Sequence, residues 1–343
     1  YKKELTNPET RVFRDLKAIE AEYGPADPDH QVSLAAQLAF QNGASTLAIC
    51  QVPKEAGSNQ ASVASYISAF KSLEGDLPGG IGVSTITPLR GDSLQLFLEL
   101  KRHCEIQSSL RYKKERTGIV GVTSGVQIPE VGAIAQQINS RRMTIIYPNI
   151  AEISQQNIFG QELIYLVDST FLAACEAGGV ASVDAATPRD RKQIFGIKNL
   201  RRKVDEVAAD TLAAQGVTLY EQIGSLIRVR ESRTTFSAPD PNQIFYVYPQ
   251  TTRSLDATRR ALRADVDRFI GTKLLPSTPT EVKGQITETL KVLKRQGILA
   301  NFGAVSVSRD PLNPTLLRAQ ATVSPIFPLL VVEITLNVRT TIS

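Results

Sequence analysis

Leu329-Leu-Val-Val-Glu-Ile-Thr-Leu-Asn-Val-Arg339 is the stretch that tells most about the organisation of this 343-residue chain. From Val332 onward, apolar and polar residues alternate along it. One face of the predicted strand carries Val332, Ile334, Leu336 and Val338, and the other carries Glu333, Thr335, Asn337 and Arg339. Alternation with a period of two residues is typical of a half-buried β-strand. We therefore predict a strand that begins in the apolar run of Leu329, Leu330 and Val331.

The backbone of this predicted strand needs hydrogen-bond partners. Two other strand-like runs precede it, Ala304–Ser308 and Leu316–Val323. One candidate partner is therefore the chain's own sheet, which is how most C-terminal strands are used. The other candidate is a neighbouring copy of the protein, in which case the strand joins subunits. The pattern alone leaves both alternatives open.

The composition is that of an ordinary globular protein, with 42% hydrophobic and 21% charged residues. The length is sufficient for a large core and two domains. The net charge of +5 is spread along the chain, whereas a nucleic-acid-binding surface concentrates Lys and Arg on one element. No window reaches the roughly 18–20 apolar residues of a membrane span. We therefore expect neither direct nucleic-acid binding nor membrane insertion.

Strand and helix patterns alternate through the first part of the chain, which predicts an α/β domain with a largely parallel central sheet over residues 1–236. The predicted strands are Thr46–Val52, Gly80–Ile86, Gly118–Val122, Met143–Tyr147, Val217–Tyr220 and Leu226–Arg230. The predicted helices are Val12–Tyr23, Val32–Asn42, Ser62–Leu73, Leu94–Ile106, Pro129–Asn139, the long apolar Gly160–Cys175, and Val204–Gln215.

Ser237-Ala-Pro-Asp-Pro-Asn242 has two prolines and no apolar anchor, so we place a domain boundary there. Residues 237–343 are predicted to form a second, α+β domain that ends in the strand described above. Its two helices, Thr252–Ile270 and Thr280–Gln296, are amphipathic. The first is expected to bury Leu255, Leu262, Val266, Phe269 and Ile270, and the second Val282, Ile286, Leu290 and Leu293. The polar face of the first helix is either an ordinary solvated face or a docking surface.

Residue clusters that carry chemistry are missing from the sequence. Gly118-Ile-Val-Gly-Val-Thr-Ser-Gly125 lies between a strand and a helix, but it lacks the Gly-Lys-Ser/Thr ending of a phosphate-binding loop and the spacing of a dinucleotide fingerprint. His30 and His103 have no partners at metal-ligand spacing and no evident nucleophile. We therefore predict that the chain is not an enzyme and has no catalytic residues, metal or cofactor.

Several segments, in their order along the chain, resemble the tail sheath proteins of contractile-tailed bacteriophages (myoviruses). Each segment is a weak motif, and the specific feature is their order over nearly the whole chain. The segments are Phe13-Arg-Asp-Leu16, Glu22-Tyr-Gly24, Ala35–Gly43, Ala173–Gly179, Val183–Pro188, Gln215-Gly-Val-Thr218, Leu226–Arg230, Arg233-Thr-Thr235, Phe245-Tyr-Val-Tyr248, Gln296-Gly-Ile298 and Pro328–Val338. Sheath proteins of this kind begin with an extended arm, and Tyr1 follows the position where that arm would lie.

The resemblance implies a structural subunit that polymerises around a tail tube and contracts to drive the tube through the host envelope for genome ejection. Leu329–Arg339 would then be an inter-subunit strand, joined by an N-terminal arm of another subunit. The implied partners are further copies of the chain, the tail tube protein, and the baseplate and tail terminator proteins. The implied location is the virion, after late synthesis and assembly in the host cytoplasm. The first domain would face outward and the second would face the tube. By position and charge, the candidate tube contacts are Arg253, Arg259, Arg260, Arg263, Lys283, Lys291 and Lys294.

Two other readings remain open from the sequence. A sheath of a related contractile injection machine, such as a tailocin or a type VI secretion system, would share every feature named above. A nucleotide-binding α/β enzyme would instead use the Gly118–Gly125 turn.

Overall fold

The computed structural model describes residues 8–55, 61–91, 93–156, 159–330 and 332 of the chain. The strands are β1 (Glu9–Phe13), β2 (Leu47–Gln51), β3 (Thr85–Ile86), β4 (Thr117–Gly121), β5 (Met143–Tyr147), β6 (Ile150–Gln156), β7 (Glu162–Asp168), β8 (Asn199–Leu200), β9 (Val217–Ile223), β10 (Leu226–Glu231), β11 (Asn301–Arg309) and β12 (Leu317–Ser324). The helices are α1 (Leu16–Tyr23), α2 (Gln31–Gln41), α3 (Val63–Ser72), α4 (Leu94–Gln107), α5 (Ile128–Ile138), α6 (Ser169–Ala181), α7 (Glu206–Ala214), α8 (Pro249–Val266) and α9 (Thr278–Arg295). Two 3-10 turns, Pro241–Val247 and Asp267–Phe269, flank α8.

The centre of the first part is a five-stranded sheet in the order β10-β9-β5-β4-β3. Strands β3, β4, β5 and β9 are parallel, and β10 returns antiparallel to β9. All five residues of β5 are buried because helices cover both faces of the sheet. Along β5, Ile145 packs with α4, α5 and α7 on one face, and Ile146 packs with α2 and α6 on the other. The predicted α/β layer with a largely parallel sheet is confirmed.

Several helices of this layer begin at a residue whose side chain caps the first turn, and these capping residues can be read from the sequence. The side chains of Asp15, Ser62, Ser93 and Asp205 each accept a hydrogen bond from the backbone N–H three residues later. Such a cap satisfies one of the backbone donors left free in the first helical turn and contributes about 1 kcal/mol. The predicted helices that begin after Ser62, Ser93 and Asp205 are confirmed to within two residues.

The predicted helix Gly160–Cys175 is wrong in its first half. Residues 162–168 form β7, which pairs antiparallel with β6 along its whole length, from Ile150 opposite Asp168 to Gln156 opposite Glu162. The helix α6 begins only at Ser169, because the Asp168 carboxylate accepts a hydrogen bond from the Thr170 N–H at 2.9 Å. The whole stretch reads as one apolar run, and such a run suits a strand as well as a buried helix.

Three expectations in the first part of the chain also need correction. Val12 lies in β1 and not in the helix, which starts after the Asp15 cap. The strand predicted at Thr46–Val52 exists as β2, but it pairs antiparallel with β1 and lies outside the five-stranded sheet. Of the strand predicted at Gly80–Ile86, only Thr85 and Ile86 pair with β4.

The second part consists of α8, α9 and the antiparallel ribbon of β11 and β12. Its core contains the four residues predicted for the second helix, Val282, Ile286, Leu290 and Leu293. Leu262, Val266 and Phe269 of the first helix pack against this core, as predicted. Ile270 does not, because the helical segment ends at Phe269 and leaves its side chain 77% exposed.

Candidate assembly surfaces

In the described part of the chain, the ribbon of β11 and β12 is a two-stranded sheet with open edges. Its register runs from Asn301 opposite Ser324 to Arg309 opposite Leu317, with a bulge between Phe302 and Val305. Among the described residues, no third strand pairs with either side. An isolated two-stranded sheet is marginally stable in water, and unpaired edges are templates for further strands. Within the described residues, the ribbon is therefore an incomplete sheet held in place by α9.

The face of β12 that points toward the core is only partly covered. Leu317 and Val323 pack against the core of the second part. Ala319 and Ala321 lie between them on the same face, opposite Val307 and Val305, and both are exposed. Helix α9 packs on β11, so its cover does not extend over the middle of β12. Among the residues that the structure describes, a row of small apolar side chains is thus left open beside a strand edge that has no partner.

The predicted inter-subunit strand lies mostly outside the described residues. Val331 and Glu333, Ile334, Thr335, Leu336, Asn337, Val338 and Arg339 belong to that undescribed portion. Leu329, Leu330 and Val332 are described and have no regular secondary structure. Leu329 is 81% exposed and Val332 is 67% exposed. Phe327, just before them, packs edge-to-face against Tyr248 at 6.1 Å between ring centroids. The strand itself stays a prediction.

Helix α8 docks on the first part of the chain through its polar residues. Arg142, which precedes β5, donates to both carboxylate oxygens of Asp256 at 2.7 and 2.9 Å. These two side chains are only 3% and 4% exposed. Farther along the helix, Arg263 forms a 2.7 Å ion pair with the buried Glu115. The polar face of α8 is thus largely an internal contact of the chain.

This docking decides what the α8 arginines can reach. The guanidinium of Arg253 donates to the carbonyl of Val180, in the last turn of α6, and to those of Val183 and Asp184 just beyond that helix. Arg259 pairs with Asp256, and Arg260 lies 4.0 Å from Glu115. The contact of these α8 arginines with a tube stays a prediction, but Arg253 already bonds to the first part of the chain.

The predicted lysines of α9 are arranged differently. Lys283, Lys291 and Lys294 are exposed. Lys291 lies 3.6 Å from Glu288 on the same helix. Lys294 donates to the side chain of Asn301 at 3.0 Å. Exposed pairs of this kind contribute little stability, so these amines remain free to meet a partner.

The Gly118–Gly125 turn is built for packing. A Cβ on Gly121 would lie 2.2 Å from the backbone of Ser169, so this glycine allows α6 to approach β4. At the start of α5, the Glu130 carboxylate accepts from the Gln127 N–H at 2.7 Å. A carboxylate thus already occupies the helix terminus where a phosphate would bind. This geometry does not support the nucleotide-binding alternative.

The two histidines have structural roles. The Nε2 atom of His103 lies 3.0 Å from the guanidinium of the buried Arg116. Burial, with the neighbouring Arg116, lowers the pKa of His103 to about 4, so its ring is neutral at pH 7. His30 Nδ1 contacts Asp27 at 2.9 Å. Within the described ranges no group of His, Cys, Asp and Glu residues could hold a metal ion. No described helix combines the length and apolar character needed to cross a bilayer.

One exposed apolar surface was missed in the sequence. β7 is the edge strand of the three-stranded sheet β7-β6-β8. Three of its apolar side chains, Leu163, Ile164 and Leu166, are between 38% and 65% exposed. The segment was predicted as a helix, and its continuous apolar run from Leu163 to Val167 gives no local signal of this edge.

The comparison with known sequences identifies a viral relative. The chain is 25% identical, over 338 residues, to the tail sheath protein of Mycobacterium phage Bxz1. The alignment includes 92% of this chain and 54% of the relative, so the chain spans about half of that relative's length. No model of a known protein family matches the chain.

Solved structures show the same fold. The contracted helical sheath of the anti-feeding prophage matches 96% of this chain and 88% of its own, with a TM-score of 0.69 and 15% identity. The contracted sheath of an extracellular contractile injection system, PVC, matches 97% of this chain and 88% of its own, with a TM-score of 0.70 and 13% identity. The resemblance to contractile sheath proteins is therefore confirmed. These relatives are structural proteins, which agrees with the prediction that the chain is not an enzyme.

Proposed function

We propose that this chain is a structural subunit of a contractile tail sheath, which polymerises around a tube and shortens to drive the tube through a host envelope. The observation that carries the proposal is the incomplete ribbon of β11 and β12, in a chain with the contractile sheath fold. Its open edges and the uncovered Ala319 and Ala321 are what a subunit needs if strands from neighbours complete its sheet.

The strand pattern of residues 329–339 supplies the complementary element. A strand added to a neighbour's ribbon forms a ladder of backbone hydrogen bonds, each with a net contribution of about 1 kcal/mol. Its apolar face would cover the small apolar row on β12. An N-terminal arm of another subunit would occupy the other edge. Such a ladder stays intact while the connecting segment bends, so a lattice joined in this way can shorten without coming apart.

Contraction in this scheme is a transition from a metastable lattice to a stable one. The free energy is stored at assembly and released on a trigger, so the subunit needs no nucleotide. The partners would be further copies of the chain, a tube, and the baseplate and terminator proteins at the two ends. The location would be the virion, with assembly in the host cytoplasm.

A sheath of a related contractile injection machine, such as a tailocin or a type VI secretion system, is the second candidate, because one of the solved structures described above comes from an extracellular contractile injection system. We favour the phage tail because the sequence relative is a phage protein at 25% identity, against 13–15% for those structures. The genes that flank this one decide between them, since capsid and packaging genes accompany only the phage tail.

For the tube contact we propose the exposed lysines of α9. The Lys283→Glu, Lys291→Glu, Lys294→Glu triple variant should lose co-sedimentation with the tube protein encoded beside it. The proposed contact pairs these lysines with acidic groups of the tube, and the three glutamates would repel the same groups. Its unfolding midpoint should stay close to that of the wild type, since all three side chains are exposed. Unchanged co-sedimentation would show that the tube contacts another surface of the chain. Lys198→Glu, on the first part of the chain, is the matched control.

The deciding experiment is negative-stain electron microscopy of the full chain beside a version that ends at Pro328. We expect long hollow cylinders from the full chain, with or without added tube protein, and dispersed particles from the shortened one. Circular dichroism should show that both are folded, because the described core ends before this point. Dispersed particles from the full chain even with tube protein would contradict the sheath proposal. Cylinders from both versions would retain the sheath but remove the role of the last strand.

A further inference from the structure

The segment that follows the ribbon is conformationally restricted. At the end of β12, the Ser324 carbonyl still accepts a hydrogen bond from the Ala300 N–H at 3.0 Å. Residues 325–330 beyond it have no regular secondary structure. Two prolines lie in this segment, Pro325 and Pro328. Each proline fixes its own φ and favours an extended conformation in the residue before it, so the segment leaves the ribbon as a stiff connection.

The side chain of Phe327 fastens this segment to the body of the chain. Its ring stands edge-on to the ring of Tyr248, with 6.1 Å between the centroids and 88° between the planes. Phe327 is 51% exposed, so the contact covers only part of its surface. An aromatic pair of this geometry favours the closed contact by about two- to tenfold. The contact is therefore closed most of the time and can still open at little cost.

Tyr248 is itself held where the two parts of the chain meet. The guanidinium of Arg233 lies over its ring, 4.6 Å from the centroid. Arg233 belongs to the first part, where its N–H donates to the Thr218 hydroxyl of β9 at 2.8 Å. Next to Tyr248, the Val247 carbonyl accepts a hydrogen bond from the Thr234 N–H at 2.8 Å. The last segment is therefore fastened to the first part of the chain as well as to its own ribbon.

We propose that Phe327 is a positioning residue, which sets where the predicted last strand leaves the chain and how far it reaches toward a second copy. This inference rests on the proposed function. Val332, where the alternating pattern begins, is five residues beyond Phe327 and eight beyond Ser324. With the aromatic contact closed, Val332 lies at most about 17 Å from Phe327. With the contact open, it can lie up to about 28 Å from Ser324.

The closed contact favours pairing with a neighbour. It confines the start of the strand to a smaller volume, which raises the effective concentration of the strand at a ribbon within the shorter reach. It also leaves fewer geometries in which strand and ribbon can pair. Loss of the Phe327 ring should therefore weaken polymerisation and make the polymer less uniform.

The contact itself is tested in the dilute, unpolymerised full chain. The sequence contains no tryptophan, so Phe327→Trp introduces a single fluorescent reporter at this position. Its anisotropy should be that of a held side chain. Adding Tyr248→Leu should lower the anisotropy, whereas adding Tyr248→Phe, which keeps the ring, should leave it unchanged. An anisotropy that does not respond to Tyr248→Leu would overturn the proposal whether or not the chain forms a sheath.

A second reporter covers the case in which Tyr248→Leu does not fold. Leu329 is 81% exposed, so Leu329→Trp should be tolerated. Its anisotropy, measured with and without Phe327→Ala, gives the same comparison without a change at Tyr248. Phe327→Ala should lower it, and equal values would overturn the proposal.

The positioning role is tested on the cylinders. Phe327→Ala should raise the protein concentration needed for cylinder formation by about two- to tenfold, the effect of losing the aromatic pair. Electron microscopy should show a wider spread of cylinder diameters. Phe195→Ala, in the first part, is the matched control because Phe195 is also 51% exposed, and it should behave like the wild type. Circular dichroism should show that both variants are folded.

The outcomes separate this role from the sheath itself. Cylinders from Phe327→Ala at the wild-type concentration and with wild-type uniformity would overturn the positioning role and leave the sheath proposal intact. Absence of cylinders from the wild-type chain, even with tube protein, would overturn both. A tryptophan that still responds to Tyr248→Leu would then identify an aromatic contact with no role in assembly.

Discussion

Replacing Asp256 with alanine is expected to lower the free energy of unfolding by about 3–5 kcal/mol, the usual cost of removing one partner of a buried ion pair. The variant leaves the guanidinium of Arg142 without its carboxylate at a site where that side chain is only 3% exposed. The same change weakens the docking of α8 on the first part of the chain. Urea unfolding measures the loss, and an early separate transition would report undocking of the second part.

The matched control is Asp267→Ala, an exposed position just after α8, which should change stability by no more than about 0.5 kcal/mol. The Arg142→Met, Asp256→Leu double variant removes both charges and should be less destabilised than Asp256→Ala alone. If Asp256→Ala behaves like the Asp267 control, the ion pair is not what holds α8 in place.

Polymerisation should be abolished by Ala319→Glu with Ala321→Glu, while the monomer stays folded. This prediction rests on the proposed function. Both positions are exposed in the single chain, so the two carboxylates remain in water and cost little. In the polymer, a neighbour's strand would bury them, and an unpaired buried charge costs several kcal/mol or more per subunit. Because every added subunit bears this free-energy penalty, the polymer cannot grow. Electron microscopy and sedimentation measure the loss of cylinders.

The control places the same charges on the opposite face of the same strand. Gln320→Glu with Thr322→Glu should leave the cylinders intact at moderate salt, since that polar face is not the one left uncovered beside α9. Loss of cylinders in both variants would show that added charge alone disrupts the lattice. Intact cylinders with both alanines replaced would show that no neighbour covers this row.

Much of the fold could be predicted because its signals are local. The helices that follow Ser62, Ser93 and Asp205 begin where a side chain caps the first turn, and the capping residue can be read from the sequence. The buried strand β5 is a short apolar run between polar segments. The apolar face of α9 repeats at helical spacing, and all four predicted core residues are buried.

The incorrect assignments occur where two structures suit the same local pattern. The run from Leu163 to Val167 is apolar throughout, so only its pairing with β6 makes it a strand. The pattern of Thr46–Val52 is typical of a buried strand in a central sheet, but this segment pairs with β1 in a separate two-stranded sheet. Pairing partners far apart in sequence decided both cases, and periodicity within one segment carries no information about them.

The sequence by itself determined the layered α/β class, the amphipathic α9, the strand pattern of residues 329–339 and, through the order of weak motifs, the resemblance to sheath proteins. Hydrophobic periodicity and capping act over a few residues, so they leave a trace that can be read in one segment. Only the tertiary structure decided that the arginines of α8 face the chain's own first part, that Asp256 is buried against Arg142, and that β11 and β12 pair with no third strand among the described residues. The sequence does not show whether a charged side chain is solvated by water or paired with a residue far along the chain. That pairing forms only when the two segments pack together in the folded protein.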